Sequence, residues 1–105
     1  MPVASYGGKS VQVNDEGFLV DAAEWSEEMA GHIAMTIGLA PLNHEQMHVV
    51  KVMRSEYEAN GDGPNVRALG KASGVPIKRL YELFPMGPAK TAAKIAGIPK
   101  PRGCI

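Results

Sequence analysis

Residues 65–84 have the sequence NVRALGKASGVPIKRLYELF, which predicts two short helices joined by a tight turn. Val66 and Leu69 recur at helical spacing in the first half, and Gly74 is a residue type that commonly ends a helix. Pro76 suits the start of a second helix, where the N–H that proline lacks has no intrahelical partner. The pair therefore resembles a helix-turn-helix unit. The side chains expected to face inward from the second helix, which runs to about residue 84, are Ile77, Leu80 and Leu83 or Phe84.

Two longer helices are predicted before this pair. Apolar residues that recur every four positions predict the first, which starts near residue 22 or 26, and Gly38 is well placed to end it. Asn43 is a suitable N-cap for the second helix, which runs through about Ala59. The predicted buried stripes are Trp25, Met29, Ile33 and Ile37 on the first helix, and Met47, Val50, Met53 and Tyr57 on the second.

The N-terminal segment predicts a small β-hairpin. Residues 10–14 alternate polar and apolar side chains, residues 15–17 supply a turn, and residues 18–20 resume an apolar run. After the helix pair, the prolines and glycine of residues 85–88 predict the end of the helix. Residues 89–96 predict a last helix that is rich in alanine. The expected fold class is therefore α+β and mostly α, with a hairpin or meander packed on about five helices.

The last eight residues, 98–105, are predicted to form a flexible arm that follows a globular domain of residues 1–97. Pro99 and Pro101 exclude helix and favour an extended chain. Eight extended residues reach about 26 Å, so such an arm could carry its end well beyond the domain surface. The only cysteine, Cys104, is the penultimate residue.

The composition indicates one soluble domain with one modest core. The chain has 105 residues, of which 45% are hydrophobic, and no apolar run approaches the roughly 18–20 residues that cross a bilayer. We therefore expect a cytoplasmic protein without a membrane segment. A single cysteine forms no internal disulfide, which agrees with a reducing compartment.

The net charge of zero hides a strong asymmetry along the chain. Residues 1–60 carry three basic and nine acidic side chains, whereas residues 61–105 carry eight basic and two acidic ones. This division favours either a basic docking face for an acidic partner or nucleic acid, or attraction between the two halves within the fold.

The segment from His44 to His48, HEQMH, satisfies the H-E-x-x-H zinc pattern. Asn43 is the predicted helix cap, so His44 would lie in the first turn. Glu56 and Glu58 offer no distinctive third ligand, and residues 61–105 contain no histidine. We therefore expect surface histidines and no metal site.

The surroundings of Cys104 in the sequence favour a carrier over a hydrolytic nucleophile. Gly103 leaves space beside the sulfur, and Lys94, Lys100 and Arg102 supply positive charge that favours the thiolate, while the terminal carboxylate opposes it. A hydrolytic nucleophile needs a fixed base and oxyanion donors, which an arm of this kind does not provide.

The C-terminal sequence LFPMGPAKTAAKIAGIPKPRGCI, residues 83–105, closely resembles the C-terminal signature of the DsrC/TusE family. The resemblance also covers residues 8–9, 15–18, 25, 64–67 and 80–84, and so spans nearly the whole chain. It implies a hairpin packed on about five helices, a C-terminal arm, and a carrier that holds sulfur as a persulfide on Cys104.

The resemblance also implies which residues support this role. No cofactor is expected, and the chain would be a sulfurtransferase-type carrier rather than a self-sufficient enzyme. Cys104 would accept the sulfur. The candidate docking or thiolate-supporting residues are Lys90, Lys94, Lys100, Arg102 and Gly103.

Ala93 is the main departure from the family pattern. Family members that serve dissimilatory sulfite reductase have a second arm cysteine at this position, eleven residues before the last one. Without it Cys104 has no partner in its own arm, so the resemblance implies a one-thiol relay, as in TusE and the 2-thiolation of tRNA uridine. A DsrC protein of sulfite reduction, with its second cysteine absent or replaced, is the alternative.

The implied partners are sulfur donor and acceptor proteins. The donor would resemble TusBCD or DsrEFH, and the acceptor would be a tRNA thiolase, a sulfite reductase or a heterodisulfide-reductase-like complex. An alternative of another class is a helix-turn-helix regulator that responds to sulfur or redox state, with Lys78 and Arg79 exposed on its second helix. Few further basic residues are available for phosphate contacts, so direct nucleic-acid binding is not expected.

Overall fold

The N-terminal hairpin is the only sheet among residues 2–103, the part of the chain that the computed structural model describes. Strand β1 (Val3–Tyr6) pairs antiparallel with strand β2 (Lys9–Gln12), and Tyr6 lies opposite Lys9. Gly7 and Gly8 join them with φ angles of 61° and 84°. Positive φ at both central residues is the requirement of the two-residue turn that matches the twist of a hairpin, which explains the pair of glycines.

The predicted pairing of residues 10–14 with residues 18–20 is present but short, and strand β1, which was not predicted, forms the longer ladder with β2. Residues 10–12 pair with β1, and residues 18–20 contribute only the isolated bridge between Val13 and Leu19 and two flanking backbone hydrogen bonds. The side chain of Asn14 accepts from the N–H groups of Glu16 and Phe18 and closes the intervening turn. The result is a short meander in which β2 is the middle segment.

Five α-helices follow a short 3₁₀ helix at Ala22–Glu24. They are α1 (Glu27–Thr36), α2 (His44–Asn60), α3 (Val66–Ser73), α4 (Ile77–Leu83) and α5 (Pro88–Ile95). None of these helices within residues 2–103 combines the length and the apolar character that crossing a bilayer requires.

The predicted helix boundaries are confirmed where capping residues define them. Asn43 caps α2 and forms a reciprocal capping box with Gln46, and Asn65 caps α3 by accepting from the N–H of Ala68. Gly74 ends α3 in the left-handed region, as its position in the sequence predicts.

One residue predicted to face inward, Ile77, is exposed, and four of the predicted stripe residues are only partly buried, namely Trp25, Ile37, Met47 and Tyr57. Ile77 has 44% of its surface exposed, whereas the other inward positions of α4, at Leu80, Leu83 and Phe84, are buried. Ile77 is the first residue of α4 and lies against Gly70 of α3, so it covers the neighbouring helix instead of entering the core.

Helix α5 is the centre of the helical layer. It packs against α1, α2, α3 and α4, and its buried face consists mostly of small side chains, at Ala89, Ala92 and Ala93. Small residues let the surrounding helices approach closely on several sides.

The end of α5 is held by Trp25 and Arg54. The indole Nε1–H of Trp25 donates to the carbonyl oxygen of Ile95 at 2.8 Å, and Arg54 donates to that of Ala96 at 2.8 Å. The guanidinium also lies 4.4 Å from the centre of the Trp25 ring. Gly97 follows with a φ of 68°, and a Cβ atom there would lie 2.4 Å from Cδ1 of Trp25.

We predict that Gly97→Ala lowers the free energy of unfolding by about 3 kcal/mol, because it adds a steric clash to the cost of positive φ. Gly38→Ala is the matched control: its φ is 77° and no atom lies within 4 Å of the added Cβ. The control should cost only about 1 kcal/mol. Urea denaturation measures both, and equal losses would show that the Trp25 contact does not determine the requirement for glycine.

Candidate functional site

The segment that leads to the sequence-predicted site passes over the loop between α2 and α3. Cys104 itself lies outside the described residues, which end at Gly103. Ile98 is fully buried and Pro101 is buried. The described part of the predicted arm, residues 98–103, thus forms a tail whose first four residues pack against the domain.

Gly63 makes this packing possible. A Cβ atom at Gly63 would lie 3.0 Å from Cδ1 of Ile98, 3.0 Å from Cγ of Pro101 and 3.2 Å from Sδ of Met53. A Cβ atom there would force these side chains to shift by a few tenths of an ångström. The glycine thus favours the close approach between the tail and the α2–α3 loop.

Two carboxylates contact the tail beside this apolar anchor, of which Glu16 is exposed and Asp62 is partly buried. The Lys100 ammonium lies 3.3 Å from Oε2 of Glu16, and the backbone N–H of Arg102 donates to Oδ1 of Asp62 at 3.2 Å. The Arg102 guanidinium is 3.6 Å from the same carboxylate. Pairs of this exposure each contribute about 0–1 kcal/mol, so the buried Ile98 stabilises the tail more than they do.

The other two candidate lysines face the same N-terminal turn. Lys90 lies 3.8 Å from Glu16, and Lys94 lies 5.1 Å from the centre of the Phe18 ring. Lys90, Lys94 and Lys100 thus converge on residues 16–18. These contacts join the basic C-terminal half to the acidic N-terminal half, and a docking role for the lysines stays a prediction.

Gly103 lines a surface groove between α3, α4 and the start of α5. The groove has a volume of about 260 Å³ and is lined by Asn65, Val66, Tyr81, Met86, Lys90 and their neighbours. Tyr81 and Met86 are large apolar side chains with 50% and 58% of their surfaces exposed. The groove therefore reaches the last described residue before Cys104 in the sequence.

Ala93 is fully buried on α5. Its carbonyl oxygen accepts a hydrogen bond from the N–H of Ile98 at 3.2 Å, so the residue lies where the chain turns from the helix into the tail. The methyl group of Ala93 thus occupies the position where the resemblance implies a second cysteine in two-thiol family members.

The residues of the H-E-x-x-H segment take part in packing between helices. His48 donates from Nε2 to the carbonyl oxygen of Ser73 at 2.9 Å, which ties α2 to α3. Glu45 accepts two hydrogen bonds from Arg79 of α4, at 2.7 and 3.0 Å, and the Arg79 guanidinium lowers the pKa of the Glu45 carboxyl. Across residues 2–103 no group of three or more His, Cys, Asp or Glu side chains is arranged to hold a metal ion.

Sequence reasoning missed the contacts of the tail. In the sequence, Asp62 and Gly63 indicated only that a helix ends before α3, and Glu16 indicated only a turn. The charge asymmetry between the halves was the one available indication, because it favoured attraction of the basic tail to acidic residues far away in sequence.

Comparisons with known proteins agree on one family. Residues 5–105 match the family described as DsrC like protein. The chain is 37% identical over 105 residues to the gamma subunit of the dissimilatory-type sulfite reductase of Nitratidesulfovibrio vulgaris, with full coverage of both chains. It is 40% identical over 107 residues to the sulfurtransferase TusE of Escherichia coli O6:H1, covering 95% of this chain and 97% of that one. The solution structure of DsrC from Allochromatium vinosum superimposes with a TM-score of 0.85 at 36% identity, covering 98% of this chain and 97% of that one.

We predict that Gly63→Ala increases the rate of tryptic cleavage after Arg102 several-fold, because the added methyl group displaces Ile98 and Pro101. Lys100 precedes Pro101 and does not compete as a cleavage site. Mass spectrometry follows the loss of residues 103–105. Asp62→Asn, which keeps the apolar anchor, should give a smaller increase.

Gly31→Ala is the control for this measurement, because a Cβ atom at this helical position meets no atom within 4 Å. Its cleavage rate should equal that of the unchanged protein. If Gly63→Ala cleaves no faster than Gly31→Ala at equal stability, the Gly63 contact does not hold the tail.

The Glu45 carboxyl should titrate below its ordinary pKa in the folded protein, because protonation breaks its hydrogen bonds to Arg79. The depressed pKa stabilises the fold at pH values above the unfolded-state pKa, and this contribution is lost as the pH falls through the folded-state pKa. Side-chain NMR titration measures the shift. Arg79→Gln should raise the pKa toward its ordinary value, whereas Lys51→Gln, which removes a cation paired with Glu27, should leave it unchanged.

Proposed function

The chain belongs to the DsrC-like family, and from this premise we propose that it is a sulfur carrier that holds sulfur as a persulfide on Cys104. The family match that runs through the C-terminus, where the chain has its only cysteine, is the observation that carries the proposal. Relatives at similar identity are named as a sulfurtransferase and as a sulfite reductase subunit, and both names belong to sulfur metabolism.

The transfer needs no oxidant or reductant beyond the donor. The Cys104 thiolate attacks the terminal sulfur of a donor persulfide, the donor's own S–S bond breaks, and the donor leaves as a thiolate. The product is Cys104–S–SH, in which the transferred sulfur has kept its oxidation state. An acceptor thiolate then attacks that terminal sulfur in the same way and regenerates the Cys104 thiolate.

The arm of residues 98–105 would deliver this sulfur to partner proteins. The contacts of Ile98 and Pro101 with Gly63 support a hinge after Pro101, so that Arg102 and Gly103 would be released before residues 98–101. Four extended residues reach about 13 Å, and release of the apolar anchor would extend the reach to about 26 Å. The contacts of Arg102 with Asp62 are weaker than the apolar contacts of Ile98 and Pro101, because they lie at the surface and are screened by salt.

Ala93 favours a one-thiol relay over a two-thiol redox cycle. An intramolecular disulfide with Cys104 would need a second cysteine, and the chain has none. A relay such as the one that TusE serves in tRNA 2-thiolation requires only the final cysteine. We therefore propose a one-thiol carrier with a TusBCD- or DsrEFH-like donor and a tRNA thiolase or a heterodisulfide-reductase-like acceptor.

A role beside a sulfite reductase is the second candidate. It is favoured by the alignment to the sulfite reductase gamma subunit, which extends over the full length of both chains. Co-purification with a sirohaem reductase would support this branch. Co-purification with a tRNA thiolase would support the first.

We predict that incubation with inorganic polysulfide adds the mass of one sulfur atom to the protein, and that dithiothreitol removes it. Intact-mass measurement detects the addition, and peptide mapping should locate it on Cys104. The Cys104→Ser variant should gain no sulfur. An unchanged mass of the native protein, under conditions in which a known persulfide carrier is loaded, would refute the proposal.

A further inference from the structure

Three exposed apolar side chains follow one path from α4 to the start of α5. Ile77, Tyr81 and Met86 have 44%, 50% and 58% of their surfaces exposed. Ile77 and Tyr81 lie one helical turn apart and therefore share a face of α4. Tyr81 and Met86 line the groove onto which Gly103 opens. Contiguous exposed apolar side chains bordered by polar ones are typical of interaction sites.

A second groove continues this surface toward α3. Arg67 and Lys71, one turn apart on α3, line it together with Ile77 and the turn that joins the two helices. The groove has a volume of about 500 Å³. Cations thus border the apolar path along α3.

Four of the other five basic residues of the C-terminal half have an acidic partner, and the fifth, Lys94, lies over the Phe18 ring. Lys90, Lys100 and Arg102 pair with Glu16 or Asp62, and Arg79 pairs with Glu45 and Glu82. Arg67, Lys71 and Lys78 form no salt bridge with any residue between positions 2 and 103. Glu82, the one acidic residue of α4, is occupied by Arg79. The positive charge of this surface is therefore available to another molecule.

We propose that the α3–α4 face, defined by Arg67, Lys71, Ile77, Tyr81 and Met86, docks the protein that exchanges sulfur with Cys104. This inference rests on the proposed function. The partner presents apolar side chains to Ile77, Tyr81 and Met86, and carboxylates to Arg67 and Lys71. A partner seated there also borders the groove at Gly103, so docking brings its own cysteine to the end of the tail.

The two components of the face have separate physical effects. Unpaired cations steer an acidic partner and raise its association rate, an effect that salt weakens. The aromatic and methionine side chains supply most of the contact free energy once the partner is seated. Changes of charge should therefore alter the salt dependence, and apolar truncations should not.

The test uses disulfide exchange with two peptides of equal length. Each has a central cysteine activated as a 2-thiopyridyl disulfide, with leucines beside it and either aspartates or lysines at its ends. The Cys104 thiolate attacks the peptide cysteine sulfur, the S–S bond to the pyridyl group breaks, and pyridine-2-thione is released and measured by absorbance. Rates are divided by the rate with neutral 2,2′-dithiodipyridine, which removes effects on the thiol pKa.

The acidic peptide should react about tenfold faster than the basic one at low salt, and this ratio should approach one in high salt. Arg67→Glu/Lys71→Glu should remove or invert the preference. Tyr81→Ser/Met86→Ser should slow both peptides while keeping their ratio. Lys9→Glu/Lys51→Glu changes the net charge by the same amount outside the face, and it should retain the preference.

Several outcomes would overturn the proposal. Equal rates for the two peptides would do so, as would the same loss of preference in both charge-reversed variants. Salt-sensitive binding of a DNA duplex that Arg67→Glu/Lys71→Glu abolishes, together with equal peptide rates, would assign the face to nucleic acid instead. Disulfide exchange does not require a persulfide. A protein that takes up no sulfur from polysulfide but keeps the peptide preference would therefore lose the proposed function and retain the docking face.

Discussion

The contact of Trp25 and Arg54 with the end of α5 determines the course of the rest of the chain. The two side chains donate hydrogen bonds to the carbonyl oxygens of Ile95 and Ala96, which the helix leaves without intrahelical partners. The indole ring then occupies the space beside Gly97, and only a residue without a side chain passes it at positive φ. Because the tail starts at this point, its direction over the α2–α3 loop is a consequence of how α5 ends.

The tail combines a strong apolar anchor with weak charged contacts, and this order suits a segment that must reach other molecules. Burial of a side chain such as Ile98 contributes about 1.5–3 kcal/mol, whereas each exposed ion pair contributes about 0–1 kcal/mol. The contacts are therefore stronger at Ile98 and Pro101 than at Arg102. Ionic strength or a competing carboxylate on a partner would affect the end of the tail before its base.

Sequence reasoning was accurate where local chemistry defines an element and failed where distant segments compete. The helix boundaries at Asn43, Asn65 and Gly74 follow from capping groups that lie within the same few residues. The pairing of β1 with β2 was also missed, although the Gly7–Gly8 pair between them is a local signal of a two-residue hairpin turn. The tail contacts with Asp62 and Gly63 were not predictable, because an exposed charge or a glycine in a loop specifies no partner.

The sequence by itself determined the chemistry available to this protein. A single thiol at the penultimate position, with alanine at residue 93, permits a persulfide and excludes an internal disulfide. Only the tertiary structure decided which of the basic residues are already paired. Lys100 meets Glu16 across 84 positions of the chain, while Arg67 and Lys71 meet no acidic residue among those described. Coulomb attraction depends on distance in space, and the packing of the helices, not the order of residues, sets that distance.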